Sequence, residues 1–484
     1  MMKNFLHLKN RIIRLTKVAL VAATCTLFLS ACNKSTGDAK ENDVISMEPQ
    51  IITVNTDRGD YQRAYEEAVE EALAEPEEEF IYDDVNKIYS KETTSPDEIV
   101  LRFVGDICFY DQFALMGEFR NRGEDINNCI DASLLDLMRG ADIFMANNEF
   151  CYSDRGAPIE GKKYAFRSKP SNVSILGDMG VDIVSLANNH AYDWGPDALF
   201  DTIDILNGAK VPFVGAGKDI YEAMRPVYFK ANGVTISYVS ATQIERLGNP
   251  DTKEATETSP GVLRTLDPEK ACQVIGDAKS NSDFCIMYVH WGSENTDLVE
   301  ASQRDLAKKY VEAGADLIIG DHSHCLQGID YIDNVPVFYS MSNYWFNSKT
   351  VDTGIAEIII DSNEFKNRKS EIENNKKEDE SGIAWPVAAE DEENTKLTAN
   401  IKSIRFIPAI QRGCRTNEVN SDESARILTY LQGISDYAEI DLQTGIVTKS
   451  ESNHNIQGGM NTSPTKKVEE EVPEINEVDV MPAQ

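Results

Sequence analysis

The sequence predicts an α/β protein whose strands are covered on both faces, and three observations carry that prediction. First, one pattern recurs: a helix, a glycine, a short residue, an aspartate, a short apolar strand, then polar residues able to do chemistry. The copies are Gly140-Ala141-Asp142 leading through 143–146 into Asn147-Asn148-Glu149, Gly180-Val181-Asp182 leading through 183–186 into Asn188-Asn189-His190, and Gly314-Ala315-Asp316 leading through 317–319 into Asp321-His322-Ser323-His324. Each glycine falls where a helix takes a left-handed stop. Second, each strand is an unbroken apolar run, the composition of a strand buried on two sides. Third, the polar residues follow the C-terminal strand ends, where ligands bind in open α/β sheets.

Two further strands end the same way, 100–104 into Gly105-Asp106 and 285–289 into His290-Trp291-Gly292. Helices over 196–206 and 302–313 supply connections, and a strand over 335–339 leads into Met341-Ser342-Asn343-Tyr344-Trp345-Phe346. The compact domain is expected to span 96–446. It is interrupted at 363–398, where the composition collapses into Lys, Glu, Asp and Asn and predicts a solvated, disordered insertion. A strand over 401–407 and a helix over 421–435 follow, and 447–484 reads as a disordered acidic tail.

The chain has 484 residues, 41% of them hydrophobic, enough for a real core, and a formal net charge of −34. The acid is clustered in runs such as 66–84, 371–393 and 469–477, so most of that charge belongs to flanks and insertions. Nothing supplies a basic phosphate-binding face, which excludes a nucleic-acid partner.

The N-terminus carries Lys3, Lys9, Arg11, Arg14 and Lys17, then an apolar stretch over 18–29 that ends Leu29-Ser30-Ala31-Cys32. This is an export signal over 1–32. The small residues before Cys32 resemble a bacterial lipobox, in which the cysteine is acylated and anchors the mature protein to membrane lipid on the extracytoplasmic face. An ordinary secretory signal or an uncleaved anchor are the alternatives. Residues 33–95 then form a polar, acidic linker with one amphipathic helix, in which Tyr61, Ala64, Tyr65, Ala68, Val69, Ala72 and Leu73 recur at helical spacing. Of nine cysteines, Cys25 and Cys32 belong to the signal, and the remaining seven show no paired spacing and read mostly as core residues.

The chain has six histidines, and four of them, His190, His290, His322 and His324, fall in the strand-end motifs. Imidazole, carboxylate and amide oxygen together suit a divalent transition metal such as Mn, Fe or Zn rather than Ca, which takes oxygen only. Asp106, Glu149, Asn189, His290, His322 and His324 are the candidate ligands.

In order, Gly105-Asp106, Asn148-Glu149, Asn188-Asn189-His190, His290-Trp291-Gly292, Gly320-Asp321-His322-Ser323-His324 and Tyr339-Ser340-Met341-Ser342-Asn343 resemble the motif set of the CapA family of poly-γ-glutamate capsule synthesis proteins. The resemblance runs from about 99 to 346, with a weaker continuation to about 442. It implies a layered α/β sandwich of the calcineurin-like metallophosphatase type around one or two metal ions. Asp106 and His324 would then hold a first metal, Glu149 would stand in the bridging place, and Asn189, His290 and His322 would hold a second. His190 would act as general acid or as an orienting donor.

Cys108 stands where those phosphoesterases usually have a histidine, as a thiolate ligand or as a buried thiol. Arg167 is a candidate for binding a substrate carboxylate or phosphate, or for a surface ion pair. Asp193 is a candidate to orient an imidazole, or to cap the helix entered at Pro196. Trp291 and Trp345 line a pocket or pack in the core. Two functions follow from the resemblance: assembly or export of an anionic polymer with membrane-bound synthesis proteins, or metal-dependent hydrolysis of an envelope phosphoester.

Overall fold

The computed structural model describes residues 81–243, 252–266, 268–379 and 400–451. Cys32 with the export signal, the linker helix over 61–73 and most of the acidic tail lie outside them. Within them the chain forms two eight-stranded sheets. In one, Val234–Thr242, Phe284–His290, Leu317–Asp321 and Val335–Met341 run parallel and adjacent. In the other, Glu98–Ile107, Ile143–Asn148, Ile183–Ser185 and Phe213–Val214 do the same.

The sheets pack face to face. Leu101, Phe103, Met145, Ile183 and Ile358 of one meet Ile236, Tyr238, Ile286, Tyr288 and Phe338 of the other in a shared apolar core. Side chains alternate along each strand, so Cys285, Met287 and Val289 point the opposite way, onto the helices Glu269–Ser280 and Ala301–Glu312. Helices Ala114–Asn121, Ala132–Arg139, Ser174–Met179 and Gly195–Gly208 cover the outer face of the second sheet. The result is the layered α/β sandwich expected from the sequence, and it explains the unbroken apolar runs.

The structure also shows what the recurrent Gly-x-Asp does. Asp142, Asp182 and Asp316 each accept, through the side chain, the backbone N–H of Val100, Phe144 and Cys285 at 2.7, 2.9 and 2.7 Å. Each donates its own N–H back to the same residue's carbonyl. Every aspartate thus fastens the start of its strand to the start of its parallel neighbour, where a ladder would otherwise leave groups unpaired. Gly180 and Gly314 are left-handed, with φ of 83° and 112°. Gly140 departs from expectation: its φ is −91°, and the constraint is instead space, since a Cβ there would meet the Asp136 carbonyl at 2.9 Å.

Three boundaries need correction. Ordered structure starts before 96: Ile88–Ser90, inside the expected linker, pairs parallel with Val227–Ala231. The strand Val447–Lys449 closes a hairpin with Ala438–Ile440, just past the expected limit at 446. The charged run is not structureless throughout, because Ser362–Asp379 forms a helix directly off the strand Val351–Asp361. Phe365 is buried in its first turn and Lys366 donates to the Pro96 carbonyl. Lys and Glu are good helix formers, so their abundance did not preclude a helix. The remaining insertion residues, 380–398, lie outside the described residues.

Lys87, at the tip of the first hairpin, is buried, and its ammonium donates to the Phe213 carbonyl at 3.1 Å and sits 4.0 Å from that ring's centroid. Burial pulls its pKa down to about 8. A depressed value means the folded state binds the proton less tightly than the unfolded chain. Stability is therefore fully present above the unfolded pKa and is lost as pH falls through about 8. Replacing Lys87 by Met is expected to remove a loss of stability of up to about 3 kcal/mol that wild type suffers as pH falls from above 10 to 7, a relative gain for the variant at pH 7. Urea unfolding at pH 7 and pH 10 checks this: the gain should shrink at pH 10, and equal gains at both would show that charge is not the cause.

Candidate metal centre

Because parallel strands end together, both sheets deliver their C-terminal residues to one edge. Asp106, Asn147 and Asn148 end two strands of one sheet, with Glu149, Asn189 and His190 in the loops that follow; His290 and Asp321 end two strands of the other, with His322 and His324 just beyond. The chain crosses between sheets at Ser342, leaving the strand Val335–Met341 for Asn343–Trp345, which pairs with Glu98–Ile107. His322, His324 and Ser342 adopt left-handed backbone with φ of 93°, 55° and 68°. Three non-glycine residues in that region within one site mark stored strain of the kind found around functional groups.

The six candidate ligands converge. Glu149, His290 and His322 form one group whose ligand atoms lie within 4.8 Å of one another, and Asp106, Glu149 and His324 form a second. Glu149 belongs to both. Asn189 Oδ1 lies 2.8 Å from His290 Nε2, so the amide joins the first group. A third grouping, Asp106 with His290 and Asp321, draws in a carboxylate that the sequence reading had not singled out.

The donor set fits a metal on two grounds. Asp106 Oδ2 and both carboxylate oxygens of Glu149 are buried without a hydrogen-bond partner, and buried carboxylate oxygens without donors are costly unless a cation faces them. Second, His290 Nδ1 is engaged by Asp321 Oδ1 at 2.7 Å, which leaves Nε2 as the lone-pair nitrogen of the neutral ring. That Nε2 meets Asn189 Oδ1 at 2.8 Å and His322 Nδ1 at 2.9 Å, with Glu149 Oε1 at 3.7 Å. In that tautomer the imidazole nitrogen, the amide oxygen and the carboxylate face one point, an arrangement a shared cation fits. Nitrogen and oxygen donors together suit Mn, Fe or Zn.

The electrostatics agree. Burial pushes the Glu149 carboxyl far above its usual range, reinforced by the charges of Asp106, Asp321 and Glu294. Burial acts on Asp106 in the same direction, but its contacts with His324 and His290 and the hydrogen bond from Asn147 outweigh it and hold that carboxyl low. Burial keeps His290 down at about 3 and His322 well below the normal imidazole range. Both rings are therefore neutral, the form that ligates metals. His324 is raised: burial lowers it, but its contacts with Asp106 dominate. Its Nδ1 lies 2.8 Å from Asn343 Oδ1 and 3.4 Å from Asp106 Oδ2.

His190 stands beside the cluster. Its Nε2 is 3.8 Å from Glu149 Oε1, its Nδ1 is 2.6 Å from Asp193 Oδ2, and its ring stacks on Phe166 at 4.1 Å. Asp193 therefore orients an imidazole; the helix Gly195–Gly208 shows no side-chain cap. Cys108 is buried under the strand end, its thiol raised by burial, and it joins none of the ligand groups. Among the described residues the seven cysteines form no disulfide. Arg167 is not drawn into the cluster's hydrogen bonds: it stacks on Trp194 at 3.6 Å and donates to the Arg155 carbonyl. Trp291 and Trp345 are fully buried in the two outer cores.

Four participants went unassigned in the sequence reading. Asp321 holds His290, to which strand register pairs it directly. Asn147 donates to Asp106 Oδ1 at 2.9 Å, and Asn343 braces His324. Strand-end position was the available signal for these three. Lys162, whose side chain pairs with Asp193, comes from a loop with no pattern to announce it.

The matching family model is that of the bacterial capsule synthesis protein, over residues 100–348. A PGA biosynthesis protein CapA of Bacillus subtilis is 30% identical over 282 residues, 56% of this chain and 70% of that protein. A capsule biosynthesis protein CapA of Bacillus anthracis is 32% identical over 209 residues, 42% of this chain and 50% of that one. A solved structure of a hypothetical protein from Thermus thermophilus aligns with 66% of this chain and 96% of its own at 15% identity and a TM-score of 0.31, too slight a likeness to argue from. The family match covers just over half the chain and encloses every strand end that builds the cluster, so this protein belongs to the bacterial capsule synthesis protein family.

Proposed function

We propose that this protein is a lipid-anchored, extracytoplasmic component in the synthesis or export of an anionic capsule polymer of the poly-γ-glutamate type, and that it engages the polymer at a metal centre. The single observation that carries the metal centre is Glu149, whose two buried, unpartnered oxygens serve two ligand groups at once. The polymer class comes from the relatives, which are named for PGA and capsule biosynthesis. Asp106 and His324 would hold one divalent ion; Asn189, His290 and His322 would hold another, with Glu149 between. Bound ions of this kind neutralise charge on a carboxylate or phosphoryl oxygen and acidify coordinated water. In an acidic chain they supply the local positive charge that a polyanion needs.

The chain's own groups support proton transfer at the same place, which favours a second reading as a metal-dependent phosphoesterase acting on an envelope substrate. With Nδ1 held by Asp193, the neutral His190 ring presents a lone pair at Nε2. As the general acid expected of it, that nitrogen would take up a proton released by the attacking water and pass it to the leaving oxygen. Phe166, stacked on the ring, limits its rotation.

Anchoring rests on Cys32 and its preceding small residues. No helix among the described residues is long and apolar enough to cross a membrane. Membrane-bound polymer synthesis proteins are the expected partners.

The experiment is complementation of a deletion strain with wild type, His290→Ala and Cys32→Ser, together with metal analysis and a phosphoester screen of the purified full-length chain. Polymer and bound metal should both be lost with His290→Ala, and Cys32→Ser should leave the membrane fraction. Metal without ester cleavage, in a strain that needs the protein for polymer, supports the assembly reading; cleavage that His290→Ala abolishes supports the hydrolase. Wild-type protein without stoichiometric metal would sink both.

A further inference from the structure

The loop between the short strands Cys151–Tyr152 and Arg167–Ser168 has no regular structure over most of its length, yet it is bound to the site segment at several points. Ile159 donates its N–H to the Asp193 carbonyl at 2.9 Å, and Phe166 donates its N–H to Asp193 Oδ2 at 2.6 Å. The Trp194 indole donates to the Ala165 carbonyl at 3.3 Å. At the centre is Lys162, whose side chain is only 7% exposed. Its ammonium pairs with Asp193 Oδ1 and donates to the backbone carbonyl of Asn189.

One loop residue thus reaches both members of Asn189-His190. It holds Asn189 through the main chain, where the amide oxygen faces His290 Nε2, and it holds His190 through Asp193. A buried ion pair is a poor choice if stability alone is at stake, because apolar residues of the same volume usually do as well or better. What an apolar pair cannot do is donate to Asp193 and to the Asn189 carbonyl at once and so hold the Asp193 carboxyl in place against His190 Nδ1.

We propose that Lys162 is a positioning residue of the metal centre, fixing the Asn189 amide for metal binding and the His190 tautomer through Asp193. The inference rests on the reading of Asn189 as a ligand.

The test uses the full-length chain with Mn²⁺ as probe. Lys162→Met is expected to keep the far-UV circular dichroism of wild type, to weaken Mn²⁺ binding roughly tenfold by equilibrium dialysis, and to change the ¹⁵N signature of the His190 ring from a single Nδ1–H tautomer to a mixture. Lys162→Arg, which restores a cation at Asp193, should recover most of both. Wild-type Mn²⁺ affinity together with a wild-type His190 spectrum in Lys162→Met would overturn the proposal, as would equal losses in the Arg variant.

If Lys162→Met does not fold, the double variant Lys162→Met/Asp193→Asn removes the buried charge along with its partner. The proposal requires that variant to fold and still to show weakened Mn²⁺ binding and an altered ring signal; wild-type values would refute it. If wild type itself binds no Mn²⁺, the metal reading falls, and the His190 spectrum alone decides whether Lys162 sets the tautomer.

Discussion

Glu149→Gln is expected to weaken Mn²⁺ binding by more than roughly a hundredfold, beyond what loss of an outer partner costs, while raising the thermal midpoint of the metal-free protein. The two effects have one origin. Glu149 is fully buried, both its oxygens are unpartnered, and it belongs to both ligand groups. Gln preserves the volume and cannot ionise, so a metal would lose its shared carboxylate and the empty fold loses a carboxyl whose ionisation burial opposes.

The pH dependence fixes the sign. Burial, then the charges of Asp106 and Asp321, raise the folded pKa of Glu149 far above its usual value. A raised value contributes stability that is intact below the unfolded pKa of about 4.3 and is lost as pH rises through the folded one. The advantage of Gln in metal-free protein should therefore be largest near neutral pH and vanish toward pH 4. Thermal scans across that range in chelator, paired with dialysis against Mn²⁺, measure both halves. Undiminished Mn²⁺ affinity in the variant would exclude Glu149 as a ligand.

The second large effect comes from Gly105, one residue before Asp106. A Cβ there would lie 2.0 Å from the Ser342 carbonyl oxygen and 3.1 Å from the Met341 carbonyl carbon. The obstruction is main chain, at the point where the polypeptide crosses between sheets, and Asp106 donates its N–H to that same carbonyl at 3.1 Å. No flexible side chain can yield. Gly105→Ala is expected to cost at least about 3 kcal/mol, the upper range for overpacking, and to abolish metal binding by displacing Asp106. Urea unfolding and soluble yield report it; a variant with the wild-type midpoint would mean that the crossing yields more easily than its geometry suggests.

The covered parallel strands and the location of the cluster were legible because strands buried on both faces leave a strong apolar signature and their ends carried four of six histidines, while the layered sandwich was implied by the family resemblance. The pairing of Asp321 with His290 was legible in principle, since both end neighbouring parallel strands, but register is set by packing between layers. Lys162 was not legible at all. Its partners, Asp193 and Asn189, lie 31 and 27 residues away, and its loop has no periodicity to fix which way the side chain turns. The helix Ser362–Asp379 was masked by its own composition, which is the same for a solvated helix and a solvated coil.

The division of ligands between the sheets has a further consequence for how the protein is put together. Asp106, Glu149 and Asn189 belong to one sheet and its loops, His290, His322 and His324 to the other, and each ligand group draws on both. A chain with one sheet formed holds at most half a site. On the metal-centre proposal, free metal would bind the docked state and not its precursors, so occupancy at a hundred times Kd would add about 2.7 kcal/mol to the closed sandwich. The ion would act as a rivet between two halves whose contacts are distant in sequence and slow to form, and the metal supply around the folding chain would help set how much of it reaches the native state.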